Sequence, residues 1–219
     1  DAIQANHSNM VQPGAFAGNL DANPVRQDIE QITDFISIDF IVNVVLSDTK
    51  QIIKAVAGDH VKAHRAGCRF LDEMYKIKLK EKADIVVVSP GGFPKDINLY
   101  QSQKGLDNAR HAVKDGGIIV WCASAAEKFG EKTFEEWMTT MPPKAMIEEI
   151  KANFKLGGHK AAAIAMVLEK AQIFMVSDLD PELVRRIHLK PYPSLQQAVD
   201  AAIGELGENA RVLVMPAAG

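Results

Sequence analysis

The stretch that decides the fold spans residues 84–104 and reads DIVVVSPGGFPKDINLYQSQK. Residues 85–88 form a short run of β-branched apolar residues, which predicts a buried strand of a parallel sheet. Residues 89–92 then break the strand, because proline removes a backbone donor and glycine allows backbone angles that other residues avoid. A helix is predicted to begin after Phe93-Pro94.

The order of strand, glycine turn and helix predicts unpaired backbone N–H groups at the carboxyl end of a strand, where α/β proteins bind anions. Either Asp96 or Asn98 is the expected N-cap of the helix. We assign Ser89, Gly91 and Gly92 to this candidate ligand-binding turn. The alternative of a plain turn stays open, because the loop matches neither GxGxxG nor a P-loop.

Three polar side chains project to one side of the predicted helix. Tyr100 and Lys104 are four residues apart, and Gln101 and Lys104 are three apart, so all three share a face. A phenol, an amide and an ammonium group beside an anion-binding turn suit a small carboxylate or phosphorylated ligand. A polar helix face that is merely solvated is the alternative.

The composition excludes several classes of function. The 219 residues are 47% hydrophobic and 24% charged, which is typical of a globular protein with enough apolar material for a core. The net charge of −3 and the lack of a basic stripe argue against a nucleic-acid partner. No apolar run approaches the roughly 18 residues of a membrane span. Cys68 and Cys122 form no disulfide framework, which fits a cytoplasmic location.

Strands alternate with helices from residue 84 onward, which predicts an α/β fold with a mainly parallel sheet. Before that point we expect a loop over residues 1–24, in which His7 is either a structural or solvated histidine or a metal ligand. A helix at 25–35, a hairpin of strands at 38–46 and 51–57, and a long helix from His60 to about Lys80 follow. After residue 104 the pattern predicts helices to about 114 and at 134–138, 144–154, 157–170, 181–187 and 194–206, with strands at 118–122, 173–176 and 211–215.

Several long motifs resemble the nickel-dependent lactate racemase family. They are Asn6-His7-Ser8, the loop from Pro13-Gly14 to Gly18-Asn19, the pair Arg26 and Asp28, residues 43–46 and 55–59, and the SPGGFPKDINLYQSQK stretch. The resemblance covers about the C-terminal half of a family member, and the chain starts at Asp1 as if an element were already under way. We therefore expect a piece of a longer protein.

The resemblance implies two α/β domains joined by hinge helices. Residues 1–59 would be the C-terminal part of an incomplete N-terminal domain, whose strands lack partners. Residues 60–81 would form a hinge helix, residues 82–193 a complete C-terminal α/β domain with a mainly parallel sheet, and residues 194–219 a second hinge helix and a strand that returns to the first domain.

The resemblance also implies a function, the interconversion of 2-hydroxy acid stereoisomers with a nickel pincer nucleotide that accepts and returns a hydride. His7 matches the nickel ligand, Tyr100 a residue that packs against the cofactor, and Gln101 and Lys104 the groups that hold the substrate carboxylate and hydroxyl. The implied partners are a small 2-hydroxy acid and the cofactor-synthesis proteins. The family's tethering lysine, paired histidines and substrate-binding arginine match nothing here, so we expect the chain alone to be inactive.

Two other functions stay open. The turn alone suits a nucleotide- or phosphate-binding α/β module without catalysis. A relative that binds the cofactor for transfer or storage is the other alternative. His159, at the start of the helix predicted over residues 157–170, is expected to cap that helix or to be exposed, and contact with a ligand is the alternative.

Overall fold

The chain divides into two compact units, Asp1–Lys78 and Leu79–Gly219. The structure is a computed structural model that describes residues 2–219, so Asp1 of the predicted opening loop lies outside the described residues. Among the helices of this part, none is both long enough and apolar enough to cross a bilayer.

The first unit begins with a helix where the sequence predicted a loop. Helix α1 spans Ala2–Ser8, and a 3₁₀ turn follows at Asn9–Val11. Seven residues are too few to show a helical period, so the hydrophobic pattern of this segment does not predict a helix. Helix α2, Pro24–Glu30, begins as predicted and ends in a 3₁₀ turn, Gln31–Asp34. The Asn23 side chain caps it by accepting from the next two backbone N–H groups.

The predicted hairpin is confirmed. Strands β1, Ile41–Leu46, and β2, Ile52–Gly58, pair antiparallel, and one face packs against helix α3, His60–Tyr75. Asp59 caps α3 by accepting from the backbone N–H of Lys62 at 2.9 Å. The helix ends five residues before the predicted end, and it packs against β1 and β2 of the first unit. Its role as a hinge stays a prediction.

The second unit contains the predicted parallel sheet. Its five strands lie in the order β6-β5-β4-β3-β7, and all four neighbouring pairs are parallel. The α/β fold class is therefore confirmed. The strands are β3 Ala83–Val88, β4 Val113–Cys122, β5 Gln172–Val176, β6 Lys190–Pro191 and β7 Val212–Met215.

Two predictions about these strands are wrong. Helix α4, Leu99–Ala109, ends before residue 114, and the glycines at 116 and 117 lie inside β4. Gly117 serves a close approach to β3, because a Cβ there would lie 2.6 Å from the Asp84 carbonyl oxygen. Strand β7 pairs with β3, so residues 211–215 do not return to the first unit.

Helices cover both faces of the sheet. On one face α9, Leu195–Leu206, packs Ala198 and Ala202 against Ile85, Val120 and Phe174. Side chains alternate along a strand, so the neighbouring residues point to the other face, where α4 and α7 contact the strands. The remaining helices are α5 Lys132–Thr140, α6 Pro143–Ala152, α7 Gly158–Leu168 and α8 Pro181–Arg186.

Two helical glycines give opposite predictions for stability. A Cβ on Gly158 would lie 2.8 Å from the ring of Trp137, which is buried, so Gly158→Ala should destabilise the second unit by roughly 1–3 kcal/mol. Gly204 in α9 has open space, so Gly204→Ala should stabilise it by roughly 0.5–1 kcal/mol. The two tryptophans of the chain, Trp121 and Trp137, both belong to this unit, so urea unfolding followed by tryptophan fluorescence measures it. Equal effects of both substitutions would contradict the packing of α7 described here.

Candidate functional site

The start of α4 is held by a buried asparagine. Asn98 is 8% exposed, and its side-chain oxygen accepts from the backbone N–H of Gln101 at 2.9 Å. Asn98 is therefore the N-cap, and Asp96 is not. The Asp96 carboxylate instead accepts from the backbone N–H of Ser124 at 3.2 Å, in the loop after β4.

That loop occupies the N–H groups that we expected to be unpaired. The N–H of Leu99 donates to the Lys128 carbonyl at 2.8 Å, and that of Tyr100 donates to the Phe129 carbonyl at 3.2 Å. With Gln101 N–H bound to Asn98, the first turn of α4 therefore offers no free backbone amide to an anion, and the loop that binds two of these amides lies about 30 residues away in sequence.

The candidate turn at the end of β3 is built around Ser89. Its hydroxyl accepts from the N–H of Gly91 at 3.1 Å, and its carbonyl accepts from the N–H of Ala218 at 2.8 Å. Gly91 and Gly92 have φ values of +103° and +77°, which favour glycine. The role of Ser89, Gly91 and Gly92 in binding a cofactor stays a prediction.

The three predicted side chains of α4 share a face, as their spacing requires. The Lys104 ammonium donates to the Gln101 side-chain oxygen at 3.2 Å. Tyr100 is half-buried, and its ring meets the ring of Phe134 edge-on at 5.8 Å between centroids. The face therefore places an ammonium, an amide and a phenol on neighbouring turns of one helix.

A second lysine, which the sequence analysis did not single out, joins this group. The Lys160 ammonium in α7 donates to the Tyr100 carbonyl at 2.8 Å and lies 4.5 Å from the centre of the Tyr100 ring. These are a charge-assisted hydrogen bond and a cation–π contact. Because Lys160 is 60 residues from Tyr100 in sequence, only the packing of α7 against α4 reveals it.

His159 precedes Lys160 and stabilises the start of α7. Its Nδ1 accepts from the backbone N–H of Gly157 at 3.2 Å, so the capping alternative describes its contact. Its ring also stacks on Phe154 at 5.7 Å and meets Tyr100 edge-on at 6.4 Å. His159 therefore forms part of the aromatic wall around Tyr100.

Burial and charge shift two pKa values in this cluster. Burial, with a smaller contribution from the Glu131 carboxylate, raises the pKa of the Tyr100 phenol, which stays neutral at physiological pH. Burial, followed by the positive charge of Lys104, lowers the pKa of Lys160 to about 8, although Asp107 acts in the opposite direction. Lys160 is therefore a lysine that changes its charge near neutral pH.

His7, the predicted metal ligand, lies in α1 of the first unit. Its Nδ1 is 2.7 Å from the carbonyl oxygen of Ile3, and because a carbonyl only accepts, Nδ1 carries the proton. The lone pair of the neutral imidazole is then on Nε2, as a metal ligand requires. In residues 2–219 no cluster of three or more His, Cys, Asp or Glu side chains has the arrangement of a metal site.

Comparison with known proteins identifies relatives over the whole chain. Residues 78–218 match the family of the lactate racemase C-terminal domain. Two curated proteins named lactate racemase, from Lactiplantibacillus plantarum and Thermoanaerobacterium thermosaccharolyticum, are each 32% identical over 98% of the chain. The chain spans about half the length of these relatives, 52% of each.

Solved structures give the same picture. The lactate racemase apoprotein from Thermoanaerobacterium thermosaccharolyticum matches with a TM-score of 0.90 and 32% identity, over 99% of this chain and 54% of that one. A protein from Thermotoga maritima matches with a TM-score of 0.58 over 90% of this chain and 52% of its own. At 12% identity the second match shows the fold alone.

The lowered pKa of Lys160 predicts a stability that rises with pH. Between the folded pKa of about 8 and the ordinary value of 10.5, the unfolded chain binds more protons than the folded chain. From pH 7.5 to pH 10 the free energy of unfolding of wild type should therefore rise relative to that of Lys160→Met. The rise should be smaller than about 1.4 kcal/mol per pH unit, which is the value for a difference of one full proton. Urea unfolding measured by tryptophan fluorescence tests this. Lys160→Arg, which stays charged, should show no such gain, and a wild type that parallels Lys160→Met across this range would refute the lowered pKa.

Proposed function

The chain belongs to the lactate racemase family, and from that premise we propose that it takes part in the interconversion of 2-hydroxy acid stereoisomers, with lactate as the nearest substrate class. We further propose a nickel pincer nucleotide as the cofactor. The relatives that support the proposal are about twice as long as the chain. We propose that the chain alone is inactive, because the family's tethering lysine, paired histidines and arginine match nothing in it.

The observation that carries the proposal is the shared face of Tyr100, Gln101 and Lys104. The Lys104 ammonium, held 3.2 Å from the Gln101 amide oxygen, offers further N–H donors to a carboxylate. The Gln101 amide group offers donors to the substrate hydroxyl. Tyr100, whose raised pKa keeps it neutral, offers an aromatic wall against which a planar ring packs.

His7 fits the role of a single protein ligand to nickel. Imidazole nitrogen suits this metal, and the hydrogen bond from Nδ1 to the Ile3 carbonyl orients the ring and leaves Nε2 with the lone pair. The pincer nucleotide, when bound, would supply a hydride acceptor for the alpha carbon. His7 would hold the metal, while Gln101 and Lys104 would orient the hydroxy acid.

The proposal includes partners and a location. Proteins that synthesise the pincer nucleotide would be required to load the site. Location in the cytoplasm stays a prediction from the cysteine content. The alternative of a phosphate-binding module would use the turn of Ser89, Gly91 and Gly92, because the first-turn amides of α4 are bound by the loop after β4 and by Asn98.

Nickel content tests the role of His7. The full-length gene product, purified from cells that make the pincer nucleotide, should contain about one nickel per chain, and His7→Ala should lose most of it because one coordination bond is removed. His188→Asn is the matched control, since His188 is exposed in the second unit and its φ of +67° suits asparagine. Wild-type protein without nickel would refute the cofactor proposal.

Racemisation kinetics test the role of the α4 face. In the full-length protein, Lys104→Ala should lower kcat/KM for lactate about 10- to 100-fold, the effect of losing a charged hydrogen bond of roughly 1.5–3 kcal/mol. Lys151→Ala, an exposed lysine of α6, should leave kcat/KM unchanged. Equal activity of Lys104→Ala and wild type would exclude Lys104 from the site.

A further inference from the structure

From the arrangement of α4 and α7 we propose that Lys104 and Lys160 together form a binding site for one oxyanion, either a carboxylate or a tetrahedral phosphate-type group. Nothing in the family comparisons assigns Lys160 a role. For Lys104 the inference rests on the proposed function, and it adds Lys160 as a second ammonium group for the same anion.

Both ammonium groups are held in place by contacts that leave some of their N–H donors available. The Lys160 ammonium is held by the Tyr100 carbonyl at 2.8 Å and by the Tyr100 ring at 4.5 Å. The Lys104 ammonium is held by Gln101 at 3.2 Å. An ammonium group has three N–H donors, so each lysine can offer others to a ligand. The two are near enough for the charge of Lys104 to act on Lys160.

The two carboxylates that affect the pKa values of Lys160 and Tyr100 are already bound to other groups of the protein. Asp107, one helical turn beyond Lys104, forms an ion pair with Arg110 at 3.1 Å. The two oxygens of Glu131 accept from backbone N–H groups at the start of α5, at 3.1 and 2.7 Å. Lys160 is half-buried and Lys104 is exposed, and the positive charge of Lys104 acts against the charge of Lys160. A bound anion would relieve that repulsion.

Helix α5, which also packs on α7, buries Phe134, Trp137 and Met138, and the other elements on α7 bring mainly apolar side chains to it as well. Helix α6 buries Met146, Ile147 and Ile150, and strand β5 buries Ile173 and Met175. On α7 itself the titratable neighbour is His159, whose Nδ1 accepts from the Gly157 N–H. The charge state of Lys160 therefore depends mainly on burial, on Lys104 and on Asp107.

Anion binding should then depend on pH in a way that identifies Lys160. The protonated fraction of a group with a pKa of about 8 falls about tenfold between pH 7 and pH 9. If the anion requires the protonated form, its affinity for the 219-residue chain should fall by the same factor. Lactate and sulfate are suitable probes, because neither titrates in this range. Backbone amide shifts of α4 and α7 in NMR titrations give the affinities.

Three variants of the two lysines and one control variant separate their roles from general charge effects. Lys160→Arg, which stays charged, should bind with an affinity that is the same at pH 7 and pH 9. Lys160→Met and Lys104→Met should each bind at least tenfold more weakly at pH 7. Lys151→Met, which removes an exposed charge from α6, should follow wild type.

Amide shifts with either probe, or with both, that weaken from pH 7 to pH 9 support the two-lysine site. Shifts by lactate alone assign the site to a carboxylate, and shifts by sulfate alone assign it to a phosphate-type group. Shifts by sulfate alone would support the two-lysine site but would remove support for hydroxy-acid binding by Lys104. The nickel content would still test the cofactor separately. No shift with either probe, or a wild-type affinity that is equal at pH 7 and pH 9, would overturn the proposal.

Discussion

The arrangement of the second unit depends on one buried asparagine. Asn98 caps α4 and sits against Gly130, where a Cβ would come within 2.2 Å of its side chain. The close fit joins the start of α4 to the loop after β4, and that loop then takes the N–H groups of Leu99 and Tyr100. The carboxyl ends of β3 and β4 are thereby tied together by hydrogen bonds that leave the first turn of α4 fully satisfied.

This constraint decides what kind of ligand chemistry the site can have. A helix whose first-turn amides are bound within the protein offers its side chains to a ligand and contributes little through its N–H groups. An anion bound beside α4 would then be recognised by ammonium groups, and α4 supplies Lys104 while α7 supplies Lys160. The Tyr100 carbonyl and ring hold Lys160 in place. One residue of the α4 face thus also positions a cation from another helix.

Local patterns predicted the elements well and the contacts between them poorly. The β-branched run at 85–88 identified β3, and the spacing of Gln101 and Lys104 predicted that their side chains would meet. The sequence predicted a helix to about residue 114, but the glycines at 116 and 117 lie inside β4. Glycine marks both the ends of helices and the places where two strands approach closely, and composition does not separate the two cases. The bonds from Leu99 and Lys160 join residues 29 and 60 apart, which no periodicity encodes.

The position of Lys160 is itself a result of packing at the start of α7. Gly158 lets the helix approach the Trp137 ring, and Gly157 lets the same turn lie against Glu131, where a Cβ would come within 1.9 Å of a carboxylate oxygen. Larger residues at either position would push α7 away from α5. Because Lys160 lies on the first turn of α7, such a shift would carry its ammonium away from Tyr100. The position of the Lys160 ammonium therefore depends on two glycines at the start of α7.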